Sequence, residues 1–171
     1  MKKILSLICA VICVLALASC GNTANAPKGM KLASNEICDY YFYVPQNWTV
    51  DMSTGVASAY FSDTDKSNMS FTSYALSKEM TPDEYWETLK MDYSAIFAEL
   101  SEPEVKETTL DGVAAKQYTY TAKAGTAEFK IMQVFCIKGE TAYVFTFTAT
   151  PEKFAEHIDK VGLVLAEFRF M

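Results

Sequence analysis

Thr141–Ala149 reads TAYVFTFTA, with an aromatic side chain at every second position from Tyr143 to Phe147. Successive side chains of a β-strand point to opposite faces, so Tyr143, Phe145 and Phe147 share one side. Ala114–Ala122 repeats the device in its YTYT core, setting Tyr118 and Tyr120 against Thr119 and Thr121. Glu128–Ile137 leads into Thr141–Ala149 through Lys138-Gly139-Glu140, and this spacing predicts a hairpin. Two-faced strands joined by hairpins require a mainly antiparallel sheet with something to cover its aromatic faces.

The covers are legible too. Thr81-Pro82-Asp83-Glu84 is a helix start: Thr81 can cap, Pro82 suits the first helical position, and Glu84 completes a capping box. Tyr85, Leu89, Ile96, Phe97 and Leu100 then recur at helical spacing, which carries this helix to about Ser101, before Pro103. Thr150-Pro151-Glu152 opens a second helix, with Phe154, Ile158, Val161 and Leu165 expected on its inner side. Tyr40–Val44, Ala57–Ser62 and Met69–Leu76 read as earlier strands, Asp111-Gly112 as a turn between short strands, and Phe168 and Phe170 as part of a last strand. The expected class is α+β, a mainly antiparallel sheet flanked by two helices.

Three stretches carry a resemblance: YFYVPQNW, the helix opening TPDEYW, and AYVFTFTATPEKFAEHIDKVGLVLAEFRF. Together they resemble the PsbP-like family. The resemblance implies an α/β/α sandwich around an antiparallel sheet. The family shares no catalytic motif, so it assigns no functional residue here. Glu167 stands where the family often has Ser.

The first residues are of another kind. Met-Lys-Lys is followed by Ile4 to Ala18, uncharged and with Ser6 as its one polar side chain. That run is short for a membrane span, which needs about 20 apolar residues, and fits the apolar part of a signal peptide. It ends in Leu17-Ala18-Ser19-Cys20, which resembles the lipobox of bacterial lipoproteins. The resemblance implies a diacylglyceryl thioether on Cys20 and cleavage between Ser19 and Cys20. Residues 20–37 are small, polar and aperiodic, and read as the lipidated cysteine and a flexible tether. Residues 38–171 are then one domain.

Formal net charge is −6, and loss of Lys2 and Lys3 with the first 19 residues makes it −8. An acidic domain gains no counterion release on nucleic acid, which argues against that partner. With Cys9 and Cys13 in the export segment and Cys20 lipidated, Cys38 and Cys136 are the candidates for a disulfide, two separate thiols being the other reading.

No catalytic set stands out. His157 is the single histidine and sits beside the helix stripe, where a surface or boundary position is expected. Asp63-Thr64-Asp65-Lys66-Ser67-Asn68 has the front of a calcium loop, but Tyr74 replaces the bidentate Glu, so a polar turn is expected. Asp83/Glu84, Glu102/Glu104 and Glu152/Glu156 mostly fall at helix starts, where acids favour the helix dipole. No metal site and no cofactor are expected. Trp48, Tyr60 and Tyr74 are the candidates for an exposed aromatic patch. The reading is a lipid-anchored, extracytoplasmic, non-catalytic binding or accessory module. It would sit on the bacterial cell membrane through Cys20 and meet an envelope protein or cell-wall partner. The alternative is an envelope hydrolase or transferase using carboxylates or His157.

Overall fold

The computed structural model describes residues 26–171. The signal-peptide reading and Cys20 lie outside the described residues. The elements run β1 (Met30–Leu32), β2 (Tyr40–Tyr41), β3 (Tyr43–Pro45), β4 (Thr49–Asp51), β5 (Ala57–Tyr60), β6 (Asn68–Ala75) and α1 (Pro82–Ile96). They continue β7 (Glu99–Leu100), β8 (Glu104–Leu110), β9 (Val113–Ala124), β10 (Ala127–Lys138), β11 (Thr141–Ala149), α2 (Pro151–Ala166) and β12 (Arg169–Phe170).

Eight strands form one sheet in the order β4-β5-β6-β11-β10-β9-β7, with β8 also on β9. Every pairing in it is antiparallel. The expected hairpin is present, with Val134 opposite Phe145 and Met132 opposite Phe147. The strands around Asp111-Gly112 are longer than expected. Both turn residues have positive φ, +47° and +76°, the conformation of a tight type I′ hairpin turn that Asp-Gly favours.

Alternation along the strands divides the core in two. Phe145, Phe147, Met132 and Val134 join Phe42, Val44, Trp48, Phe168 and the α2 residues Phe154, Val161 and Val164. On the other face Val144, Ile131, Phe135, Tyr118 and Tyr120 pack with Trp86 of α1. The architecture is thus the expected α+β sheet between two helices. Small ribbons, β1–β3 and β2–β12, complete the α2 side.

Helix α1 starts as its capping box dictates: Thr81 Oγ1 accepts from the Glu84 amide at 3.2 Å, and Glu84 Oε2 accepts from the Thr81 amide at 2.7 Å. It ends at Ile96, five residues before the expected Ser101. The edge of β9 captures the chain there: the Ala98 amide donates to Lys123 O and the Ser101 amide to Thr121 O. Leu100 is therefore a strand residue, and Ile96 stands in solvent.

The tether boundary at residue 37 is also corrected. Lys31 pairs with Val44 and Leu32 with Tyr43, and Ala33 and Ser34 are buried. A three-residue strand carries too little pattern to be read locally. It exists because β3 offers it an open edge.

Candidate functional site

Helix α2 turns Phe154, His157, Val161 and Val164 inward, a stripe rotated by one residue from the expected one. His157 is fully buried, which overturns the expectation of a surface or boundary histidine. Its ring lies 4.4 Å from Phe61 and 5.5 Å from Trp48, centroid to centroid. Its Nε2 is 2.9 Å from Asp65 Oδ2. Asp65 Oδ1 accepts from the Ser67 amide at 3.0 Å and from Ser67 Oγ at 2.6 Å. Burial alone would push the Asp65 carboxyl up, but the bonds from His157 and Ser67 outweigh it and hold it down at about 2.

This constellation ties the β5–β6 turn to α2. The turn expected at Asp63–Asn68 is present, and its two acids part company: Asp63 faces solvent beside Lys66, while Asp65 faces the core. A general base must reach its substrate proton within about 2.6–3.2 Å. The Nε2 of His157 is instead committed to Asp65. The Nδ1 of His157 and the Nε1 of Trp48 are buried without a protein partner. A hollow of about 290 Å³ adjoins the turn, lined by Asp65, Asn68, Phe129, Thr148, Thr150 and Lys153. His157 does not line it.

The carboxylate pairs are likewise divided among separate partners. Asp83 accepts from Lys116 and Tyr118, whose bonds pull its pKa below the usual range, while Glu84 closes the cap of α1. Glu102 meets Lys90, Glu104 meets Lys106, and Glu156 meets Lys153. Cys38 and Cys136 are free thiols, the first half-buried and the second fully buried. Burial pushes the Cys136 thiol up to about 11.

Of the aromatic candidates, Trp48 is fully buried and cannot belong to a surface patch. Tyr60 is half-buried, with Lys66 Nζ 4.7 Å from its ring centre. Tyr74 is half exposed, at 50 %. Tyr60 and Tyr74 stand on the α1 side of the sheet. There the registers Tyr74–Ala142, Thr72–Val144, Ser70–Thr146 and Asn68–Thr148 place the outward rows of β6 and β11 side by side. Strand β5 adds Ser58 and Tyr60, opposite Ser70 and Asn68. Helix α1 packs on β7, β9 and β10, so the β5 and β6 rows lie beside it, while Ala142 and Val144 of β11 are buried.

A polar network fixes the boundary between α1 and this face. Gln133 donates to Tyr93 Oη at 2.9 Å and to Thr146 Oγ1 at 3.1 Å, and accepts from Tyr120 Oη at 2.8 Å. Tyr85 is pushed up to about 12 by burial and then by the neighbouring phenols of Tyr74 and Tyr93. Three tyrosines, from β6 and α1, therefore converge at the helix border.

No protein-family profile matches the sequence, and no curated protein matches it either. Solved structures do. Cyanobacterial PsbP (CyanoP) of Synechocystis sp. PCC 6803 matches with a TM-score of 0.62 at 15 % identity, over 91 % of this chain and 99 % of that one. The Ran-binding protein Mog1p of Saccharomyces cerevisiae matches with a TM-score of 0.58 at 11 % identity, over 82 % and 95 %. A Pseudomonas aeruginosa protein of unknown function, PA94, described as a putative regulator, matches with a TM-score of 0.57 at 15 % identity, over 81 % and 94 %. At these identities the likeness speaks for the fold alone, and the fold of this chain is PsbP-like.

Proposed function

We propose that the chain is a membrane-anchored extracytoplasmic lipoprotein whose domain is a non-catalytic binding or accessory module of the cell envelope. The observation that carries the non-catalytic part is the state of His157. The single histidine of the sequence is sealed under Trp48 and Phe61 and bonded to Asp65, so it serves to hold a turn. The sheet face beside α1, in contrast, is open to a partner, an envelope protein or cell-wall material. That Mog1p, a Ran-binding protein, is built on this fold accords with a binding role.

The anchor rests on Leu17-Ala18-Ser19-Cys20 and the uncharged run before it. Two acyl chains hold a protein on a bilayer stably where one does so marginally, so the thioether on Cys20 would decide where the domain works. Palmitate labelling of cells that express the chain tests this. The wild type is expected to take up label and mature, and Cys20→Ala to stay unlabelled and uncleaved. Normal maturation of Cys20→Ala refutes the anchor.

A further inference from the structure

Strand β8 is an edge of the sheet. It pairs with β9 on one side, and among the described residues no strand pairs with it on the other. From Glu104 to Glu107 every residue is exposed. The opposite edge, β4, is 3 residues long, whereas β8 has 7. An open edge of that length is a template for a further strand. The turn at its end tells which of its backbone groups are free. Leu110 faces Val113 across the two-residue Asp111-Gly112 turn, so these two exchange both bonds of a narrow pair. Alternation then turns the N–H and C=O of Lys106 and Thr108 toward β9, and those of Val105, Glu107 and Thr109 outward. Among the described residues no backbone group takes up these outward amides.

The side chains of β8 select what would pair with it. Two copies related by a two-fold axis through the sheet run antiparallel, and the residue on the axis meets itself. Centring on Lys106 sets lysine against lysine, and centring on Glu107 sets glutamate against glutamate. Like charges directly opposed weaken a pair. Of the centres along β8, only Val105 opposes unlike charges without opposing like ones: Glu104 of each copy faces Lys106 of the other. These two side chains already lie on one face, 2.9 Å apart and mostly exposed, so the four charges alternate around the axis. On the other face Val105, 46 % exposed, meets its own copy and leaves water. Its outward N–H and C=O then form a narrow pair on the axis. Pro103, which has no N–H, falls opposite Glu107 and limits the ladder there.

We propose that β8 is a self-association edge: a second copy of this chain adds its own β8 antiparallel, centred on Val105, and joins two eight-stranded sheets into one. An acidic or a basic strand would match one of the two charges, whereas a second copy matches both. The pairing is short and belongs with the small interfaces of transient complexes. Tethering copies to one surface would raise their effective concentration. The pairing itself does not depend on lipid at Cys20.

The test uses the full chain in detergent. Val105→Cys is oxidised mildly, digested and read by mass spectrometry. Opposed residues of a narrow pair have Cα atoms about 5.5 Å apart, a separation that a disulfide spans. The peptide holding position 105 is expected linked to its own copy. Glu107→Cys lies away from the axis, too far for a disulfide, and should give about tenfold less self-linked peptide. Within the Val105→Cys chain, Glu104→Lys alone and Lys106→Glu alone should each cut the product severalfold. Mixing these two chains should restore it as a hybrid peptide, distinguished by its mass, and such a rescue cannot arise within one chain. All the substituted positions are exposed, so the variants are expected to fold, and an unchanged thermal transition verifies that. Absence of the self-linked peptide at 105, equal yields at 105 and 107, or no rescue on mixing overturns the proposal. Palmitate labelling reads the anchor independently, so failure of one reading is told apart from failure of the other.

Discussion

Asp65 and His157, 92 positions apart in sequence, meet at 2.9 Å between Oδ2 and Nε2, the carboxylate 10 % exposed and the imidazole fully buried. The pair has a definite signature in pH. The folded protein holds the Asp65 carboxyl at about 2, whereas an unfolded chain protonates it near 3.9. The unfolded state thus takes up the proton first as pH falls. The stabilisation is complete above about pH 5 and is lost as pH drops through 2, a loss of about 2 kcal/mol. Urea unfolding of the wild type and Asp65→Asn between pH 6 and pH 2.5 checks this. The variant should show a visibly flatter profile, and identical profiles would contradict the assignment.

Removing the imidazole alone should be worse than removing both partners. His157→Ala strands the Asp65 carboxylate with little solvent and opens a space beneath Trp48 and Phe61. A cost of about 3–5 kcal/mol is expected. The double variant with Asp65→Asn should recover part of it, and a double-mutant cycle on denaturant midpoints measures the coupling. Strict additivity would mean that the contact does no energetic work.

The network under α1 makes a third prediction. Gln133→Leu fits the apolar surroundings but deprives Tyr120 Oη, Tyr93 Oη and Thr146 Oγ1 of their shared partner. Leaving the buried Tyr120 hydroxyl unpaired should cost about 1–3 kcal/mol. Adding Tyr120→Phe should then restore stability, a reversal visible in the thermal midpoint.

The two described thiols should separate kinetically. Cys136 is buried and its thiol is pushed up to about 11, whereas Cys38 is half-buried in the β1–β2 connection. Alkylation at pH 8, read by mass spectrometry, should modify Cys38 in the folded protein. Cys136 should react at least about a hundredfold more slowly, at the rate of local opening. Equal rates would place Cys136 at the surface.

Strands β9, β10 and β11 and both helix starts are written locally. Alternation assigns Phe145 and Val144 to opposite faces, and Thr81 with Glu84 declares the start of α1, before any tertiary contact is known. The corrections share one cause, a partner distant in sequence. Strand β1 forms on the edge of β3, Leu100 leaves the helix for the edge of β9, and His157 turns inward toward Asp65. The candidate face was half legible. The sequence marks Tyr60 and Tyr74 as candidates but does not separate Trp48 from them, because a lone Trp after a turn looks alike buried or bare.

Strand β12 pairs with β2, Arg169 opposite Tyr41 and Phe170 opposite Tyr40, and Phe168 is sealed in the core between them. The contact joins some of the first and last structured residues of the domain. A chain made from its N-terminus cannot close the α2 side of its core until the final residues have arrived, and contacts this distant in sequence form slowly. Until then the aromatic row of β11 lacks its lid.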